Sequence, residues 1–211
     1  MHMLTITGDL RPLHAAAVRD TVGLVVRATP ADLARPTPCA EWDLSALIAH
    51  MTVQHRGFAA AARGHGADLG VWTPTRPGAD FADRYAEAAE DVLQAFSAVD
   101  LLERPFRLPE LSPDHSFPGR LAVAFHLVDY VVHGWDVATS LGLPFSPPAE
   151  ILAATLPIAR SVPTGPDRLR PGAAFGPAMP VPPGAGPLTE ILLLLGRRDE
   201  GSGAELLSED D

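Results

Sequence analysis

The sequence predicts a mainly all-α protein, an antiparallel four-helix bundle with a small Pro/Gly-rich C-terminal extension. Three observations predict it. Hydrophobic residues make up 46% of the 211 residues but aromatics only 6%, so the core must be built from Ala, Leu and Val, and alanine-rich apolar segments favour helix. Four long segments before residue 142 repeat their apolar residues at spacings of three and four. Beyond that point proline and glycine become frequent and the helical pattern shortens.

Each element can be read in turn. Asp9 precedes LRPLHAAAVRDTVGLVVRAT and is a suitable N-cap, with Pro12 tolerated in the first turn. Leu13, Ala17, Val18, Leu24 and Val25 form the stripe of this first helix, which ends near Thr29 and Pro30. A proline-punctuated connection, TPADLARPTPCAEWD, leads to Asp43, which caps the second helix, LSALIAHMTVQHRGFAAAARG. Leu44, Leu47, Ile48 and Met51 are its buried face, and Gly64 and Gly66 end it. After a loop, ADFADRYAEAAEDVLQAFSAVD is a third, amphipathic helix with Phe81, Tyr85, Ala88, Ala89, Val92 and Phe96 on one side.

LLERPFRLPELSPDHSFPG reads as irregular, and the fourth helix runs from about Arg120 to Leu141, closed by Gly142. Residues 1–142 are thus the expected bundle, carrying any site. Residues 143–200 are an extension packed on it, with a proline-interrupted helix, short strands near Ala174 and Met179–Val181, and a last short helix, LTEILLLLGRRD. Residues 201–211 are expected to be a flexible tail.

Composition removes several functions. A net charge of −10, from 26 acidic and 16 basic residues, repels a phosphate backbone, so nucleic acid is not an expected partner. A single cysteine, Cys39, rules out an intramolecular disulfide. The stretch MHMLTITGDL lacks the basic and apolar regions of a signal peptide, and no run approaches the ~18 apolar residues that span a bilayer. The expectation is a cytoplasmic protein with no membrane partner. P-loop, Rossmann and hydrolase-elbow motifs do not occur.

The stretch FHLVDYVVHGWD puts four ionisable groups into an apolar helix. His126, Asp129 and His133 are separated by three and four residues, which points all three into the same side. Buried charge of this kind is costly unless it is paired or bound to a metal. Asp129 and His133 can supply two ligands to one ion, and His50, amid Leu47, Ile48 and Met51, offers a third from the second helix. Such a set leaves positions open for water or substrate. The bland alternative is that these histidines are core residues with satisfied hydrogen bonds.

His126 and Asp136 are candidate catalytic residues, orienting a ligand or relaying a proton. Other residues read more plainly. Trp42 is a core anchor, Cys39 a small buried side chain, and His55, about 140° round the helix from His50, a surface residue. Arg168, Arg170 and Arg197 are ordinarily solvated arginines. One of them, with Arg168 as the candidate cofactor-binding residue, would meet an anionic ligand if the extension covers the site.

Three motifs carry a family resemblance. TPCAEWDLSALIAHM is similar to TPC-x-x-W-D-[LV]-x-x-L-x-x-H, HLVDYVVHGWDVATSLG to E-x-x-x-H-x-W-D-[LV]-A-x-x-x-G, and GPLTEILLLLGRRD to a closing L-L-x-x-x-G-R-[DE] helix. Over roughly residues 10 to 199 the chain resembles the mycothiol-dependent maleylpyruvate isomerase N-terminal family, within the DinB/YfiT-like superfamily of metal-binding four-helix bundles. The resemblance implies a divalent metal, zinc first and nickel or iron next, held by His50, Asp129 and His133. It also implies mycothiol, the small-thiol cofactor of some family members, acting on a small electrophilic substrate by isomerisation or S-transfer; a bundle of this kind is expected as a monomer or homodimer. The family pattern has Glu where this chain has the shorter Asp129, so His126 remains an alternative ligand, and isomerase activity itself does not transfer. A metal-water hydrolase or a non-catalytic metal-binding protein is the alternative function.

Overall fold

The computed structural model of the chain describes residue 6 and residues 8–39, 42–170 and 174–198. The expected flexible tail, 201–211, lies outside the described residues. Among the described residues six α-helices run α1 Arg11–Val25, α2 Leu44–Ala62, α3 Phe81–Phe96, α4 Gly119–Leu141, α5 Ala149–Ser161 and α6 Pro187–Leu194. Helices α1 and α2 each pack against both α3 and α4, so the first four close a ring around a shared core.

Local chemistry sets the ends. The Asp43 carboxylate accepts from the Ala46 backbone N–H at 2.8 Å, which caps α2. Gly142 closes α4 at φ +67°, a left-handed conformation that a side chain would resist. At α1 the cap position is Leu10 rather than Asp9. Asp9 acts from one residue earlier, accepting the Arg11 N–H at 3.0 Å and binding the Arg11 guanidinium.

The connection between α3 and α4, expected to be irregular, holds a small hairpin. β1 Pro105–Arg107 pairs antiparallel with β2 Ser116–Pro118, with Phe106 opposite Phe117. Three-residue strands flanked by proline are too short to show a period of two in sequence. Among the described residues, no strand forms at Ala174 or at Met179–Val181, where short strands were expected. In their place Met179 N–H donates to the Leu193 carbonyl, and the Arg168 guanidinium bonds the carbonyls of Val162, Pro163, Gly176 and Leu194. A segment rich in proline lacks the donors for a ladder, and one buried guanidinium gathers its carbonyls instead. The extension packs its Ile151, Ile158, Ile191 and Leu195 on α4 residues Leu127, Val128 and Val131 in a single apolar cluster.

Candidate metal centre

Helix α4 carries Asp129 and His133 one turn apart, so both reach across to α2 at the level of His50. His133 Nε2 lies 3.3 Å from Asp129 Oδ1, and His50 Nε2 lies 3.9 Å from Asp129 Oδ2. One donor atom from each of the three lies within 4.8 Å of the other two. Around a tetrahedral zinc with bonds of about 2.0–2.2 Å, donors sit about 3.3–3.5 Å apart, so a small contraction brings this set onto one ion. The donor chemistry fits a divalent cation: two imidazoles and a carboxylate, with space for further ligands. His133 is sealed at 2% exposure, whereas the His50 and Asp129 side chains keep 23% and 21%, so the set opens to solvent on one side.

The far side of His133 is tied down. Its Nδ1 lies 2.9 Å from Asp136 Oδ2, and Asp136 is fully buried. A donor bond from Nδ1–H to the carboxylate turns Nε2 toward the donor set. Arg197, from the segment after α6, completes the pairing: its Nη2 donates to Asp136 Oδ2 at 3.1 Å and its Nε approaches Oδ1 at 3.5 Å. Arg197 is only 4% exposed and also donates to the Leu195 carbonyl at 3.1 Å. Its Nη2 lies 3.5 Å from Cys39 Sγ. Asp136 therefore faces two cationic partners, and neither its charge nor that of Arg197 is left bare in the interior.

The electrostatics follow from these contacts. Burial alone lowers the His133 pKa, but Asp129 and Asp136 on its two sides outweigh burial and push it up to about 9. A divalent cation held by the donor set would take the place of the Nε2 proton, so its uptake would release that proton. Burial lowers His50 to about 4, against the opposing pull of Asp129, which leaves its imidazole neutral. Burial raises Asp129, yet His133, His50 and Arg197 together hold its carboxyl below the usual range. Asp129 is thus anionic at neutral pH, as a ligand must be.

The rim is aromatic and polar. The Trp42 ring lies 4.7 Å from His50 and 6.1 Å from His133, so this half-buried residue borders the donor set as well as packing in the core. Gln54, one turn beyond His50, donates to Glu110 Oε2 at 2.6 Å from the β1–β2 connection. Burial raises the Glu110 carboxyl, the Gln54 bond opposes this, and the charge of Asp129 adds to it.

Two expected site residues lie elsewhere. His126 does not join the donor set. Its Nδ1 is 2.8 Å from His14 Nε2 of α1, and its ring stacks on Tyr130 at 4.2 Å and 7°. Seven residues restore direction on a helix but advance it about 10 Å, which places His126 in a different layer of the bundle. Arg168 binds no part of the site, because its guanidinium is spent on four main-chain carbonyls. His55, expected on the surface, is fully buried between Tyr85 and Tyr130. Helix α2 is covered on most of its circumference, so 140° from His50 is still inside.

Arg197, read from the sequence as an ordinarily solvated arginine, is instead buried against Asp136, and sequence reasoning missed Gln54 and Glu110 altogether. The G-R pair of the closing motif was the one signal for Arg197, and nothing in the sequence distinguished Gln54 or Glu110.

Comparison with known proteins agrees with the region that holds the donor set. The family described as mycothiol maleylpyruvate isomerase N-terminal domain matches residues 14–138. Two uncharacterized proteins, from two strains of Mycobacterium tuberculosis, are each 27% identical over 190 residues, covering 87% of this chain and 95% of the relative. No solved structure shows significant similarity.

Proposed function

The chain belongs to the mycothiol maleylpyruvate isomerase N-terminal domain family, and from that premise we propose that it is a divalent-metal-binding protein whose metal serves small-thiol chemistry. The observation that carries the reading is the convergence of His50, Asp129 and His133 donor atoms within 4.8 Å, with His133 tied from behind by Asp136. Zinc is the first candidate metal, nickel or iron the next, and mycothiol the thiol that the family suggests. A divalent cation held there supplies Lewis acidity, which keeps a thiol sulfur as thiolate near neutral pH.

The chain's own residues do the rest. His50, Asp129 and His133 hold the cation with a face open to solvent. Asp136 accepts the Nδ1 proton of His133 and fixes the ring. Arg197 balances the Asp136 charge. Trp42 walls one side of the opening. Glu110, hydrogen-bonded to Gln54 one turn along α2 from His50, is the group proposed to exchange a proton with an electrophilic substrate as the thiol adds to it. The result is isomerisation or S-transfer of a small electrophile.

Metal content after purification without added metal tests the reading, on wild type and on His50→Ala, Asp129→Ala, His133→Ala and His126→Ala. About one equivalent in wild type and the His126 variant, lost in the other three, is the expected pattern. No metal, and none taken up on titration with zinc, nickel or iron, overturns it. Metal with no turnover in the presence of thiol leaves a hydrolase or a binding protein.

A further inference from the structure

Many arginines of the described residues are paired with a carboxylate close by. Arg11 pairs with Asp9, Arg63 with Asp91, Arg104 with Asp100 and Arg160 with Glu190. Arg56 and Arg76 make no hydrogen bond or ion pair among the described residues, and both line one cavity of about 180 Å³ between α2, residues 75–78 and the start of α3. Arg84 lines it as well, with its Nε 2.6 Å from Asp80 Oδ2. Three arginines and one carboxylate residue, Asp80, thus line the same cavity, on a chain whose net charge is −10.

The cavity has other features that suit an anion. Asp80 is the N-cap residue of α3, but its carboxylate is turned to Arg84 and makes no cap bond. The N-terminal end of the sixteen-residue α3 begins at the cavity wall, with Asp83 as the acidic residue of its first turn and no side-chain cap bond to its leading N–H groups. Ile48 and Phe81, both buried, supply an apolar floor beside the guanidinium groups. None of His50, Asp129 and His133 lines the cavity, so it is separate from the donor set.

We propose that this cavity binds a small organic anion. Its carboxylate or phosphate group is held by Arg56 and Arg76, and its short apolar body lies on Ile48 and Phe81. Planar guanidinium groups arriving from two segments match the oxygen pairs of either head group. The proposal is independent of the metal chemistry.

Isothermal titration of the full chain with benzoate and with phenyl phosphate tests it, before and after metal removal by a chelator. At least one probe should bind saturably near one equivalent, with affinity that falls as salt rises. The Arg56→Gln/Arg76→Gln double variant, which alters two exposed side chains, should weaken that probe by about tenfold or more while keeping the wild-type circular dichroism. Stronger binding of one probe than the other identifies the head group. No saturable binding of either probe overturns the proposal, as does undiminished binding in the double variant. Binding that disappears with the metal also overturns it, since the anion then sits at the donor set.

Discussion

Acid should unfold this bundle through three buried histidines before its surface carboxylates titrate. His14 of α1, His55 of α2 and His126 of α4 are fully buried or nearly so, and four of their nitrogens have no hydrogen-bond partner: His14 Nδ1, both nitrogens of His55 and His126 Nε2. Burial pushes all three pKa values down, His14 to about 3. The folded state therefore refuses protons that the unfolded chain accepts near pH 6.5. Stability is complete above that value and is lost as pH falls through it, continuing down to the folded-state pKa. Each histidine that stays neutral in the folded state costs about 1.4 kcal/mol for every pH unit below the unfolded value, a steep loss against the roughly 5–15 kcal/mol that typically separates folded from unfolded.

Urea unfolding at a series of pH values between about 7 and 4.5, followed by far-ultraviolet circular dichroism, measures the loss. The comparison to make is with His55→Leu. That variant removes two unpartnered nitrogens and one titration while keeping an apolar side chain between Tyr85 and Tyr130. It should match wild type within about 1 kcal/mol at neutral pH and have a slope smaller by about 1.4 kcal/mol per pH unit in acid. His50, Asp129 and His133 are unchanged in the variant, so their titration contributes to both slopes and cancels. Equal acid slopes in variant and wild type would refute the reasoning, because the imidazole would then be reaching solvent or a partner.

Three further outcomes are expected. Asp136→Asn removes the anion behind His133 and should weaken zinc binding by about 10- to 100-fold in a chelator competition. Arg197→Met leaves the Asp136 carboxylate buried with His133 as its remaining partner and should lower stability by about 3 kcal/mol in urea, with part of the loss recovered in the Asp136→Asn/Arg197→Met double variant. Gly57→Ala drives a methyl to 2.3 Å from the buried Trp72 ring, and thermal unfolding should show a loss of about 1–3 kcal/mol with metal content unchanged.

The long helices were legible because their signals are local. Asp43 at the start of α2, Gly142 at the end of α4 and the stripe from Phe81 to Phe96 each act within a few residues of chain. His50, Asp129 and His133 were legible because helical spacing fixes direction and two of the three share a turn. Layer height was not legible: His126 has the right direction and the wrong level, so it meets His14 instead. Nor were contacts made across long stretches of sequence. Arg197 reaches Asp136 over 61 positions, Gln54 reaches Glu110 over 56, and no periodicity encodes either meeting. Arg168 and Arg197 look alike in sequence, and their different fates depend on which acceptors the folded extension presents, carbonyls for one and a carboxylate for the other.

The Arg197–Asp136 contact bears on what can be cut from this protein and still behave. The family match ends at residue 138, whereas the guanidinium that answers the carboxylate at position 136 arrives at position 197. A fragment trimmed to the matched boundaries keeps all three donor residues and discards that counter-charge. Such a fragment would also expose Leu127 and Val131, which α5 and α6 cover. Separability is therefore asymmetric here: the segment with no donor residue is the one that supplies the counter-charge behind them.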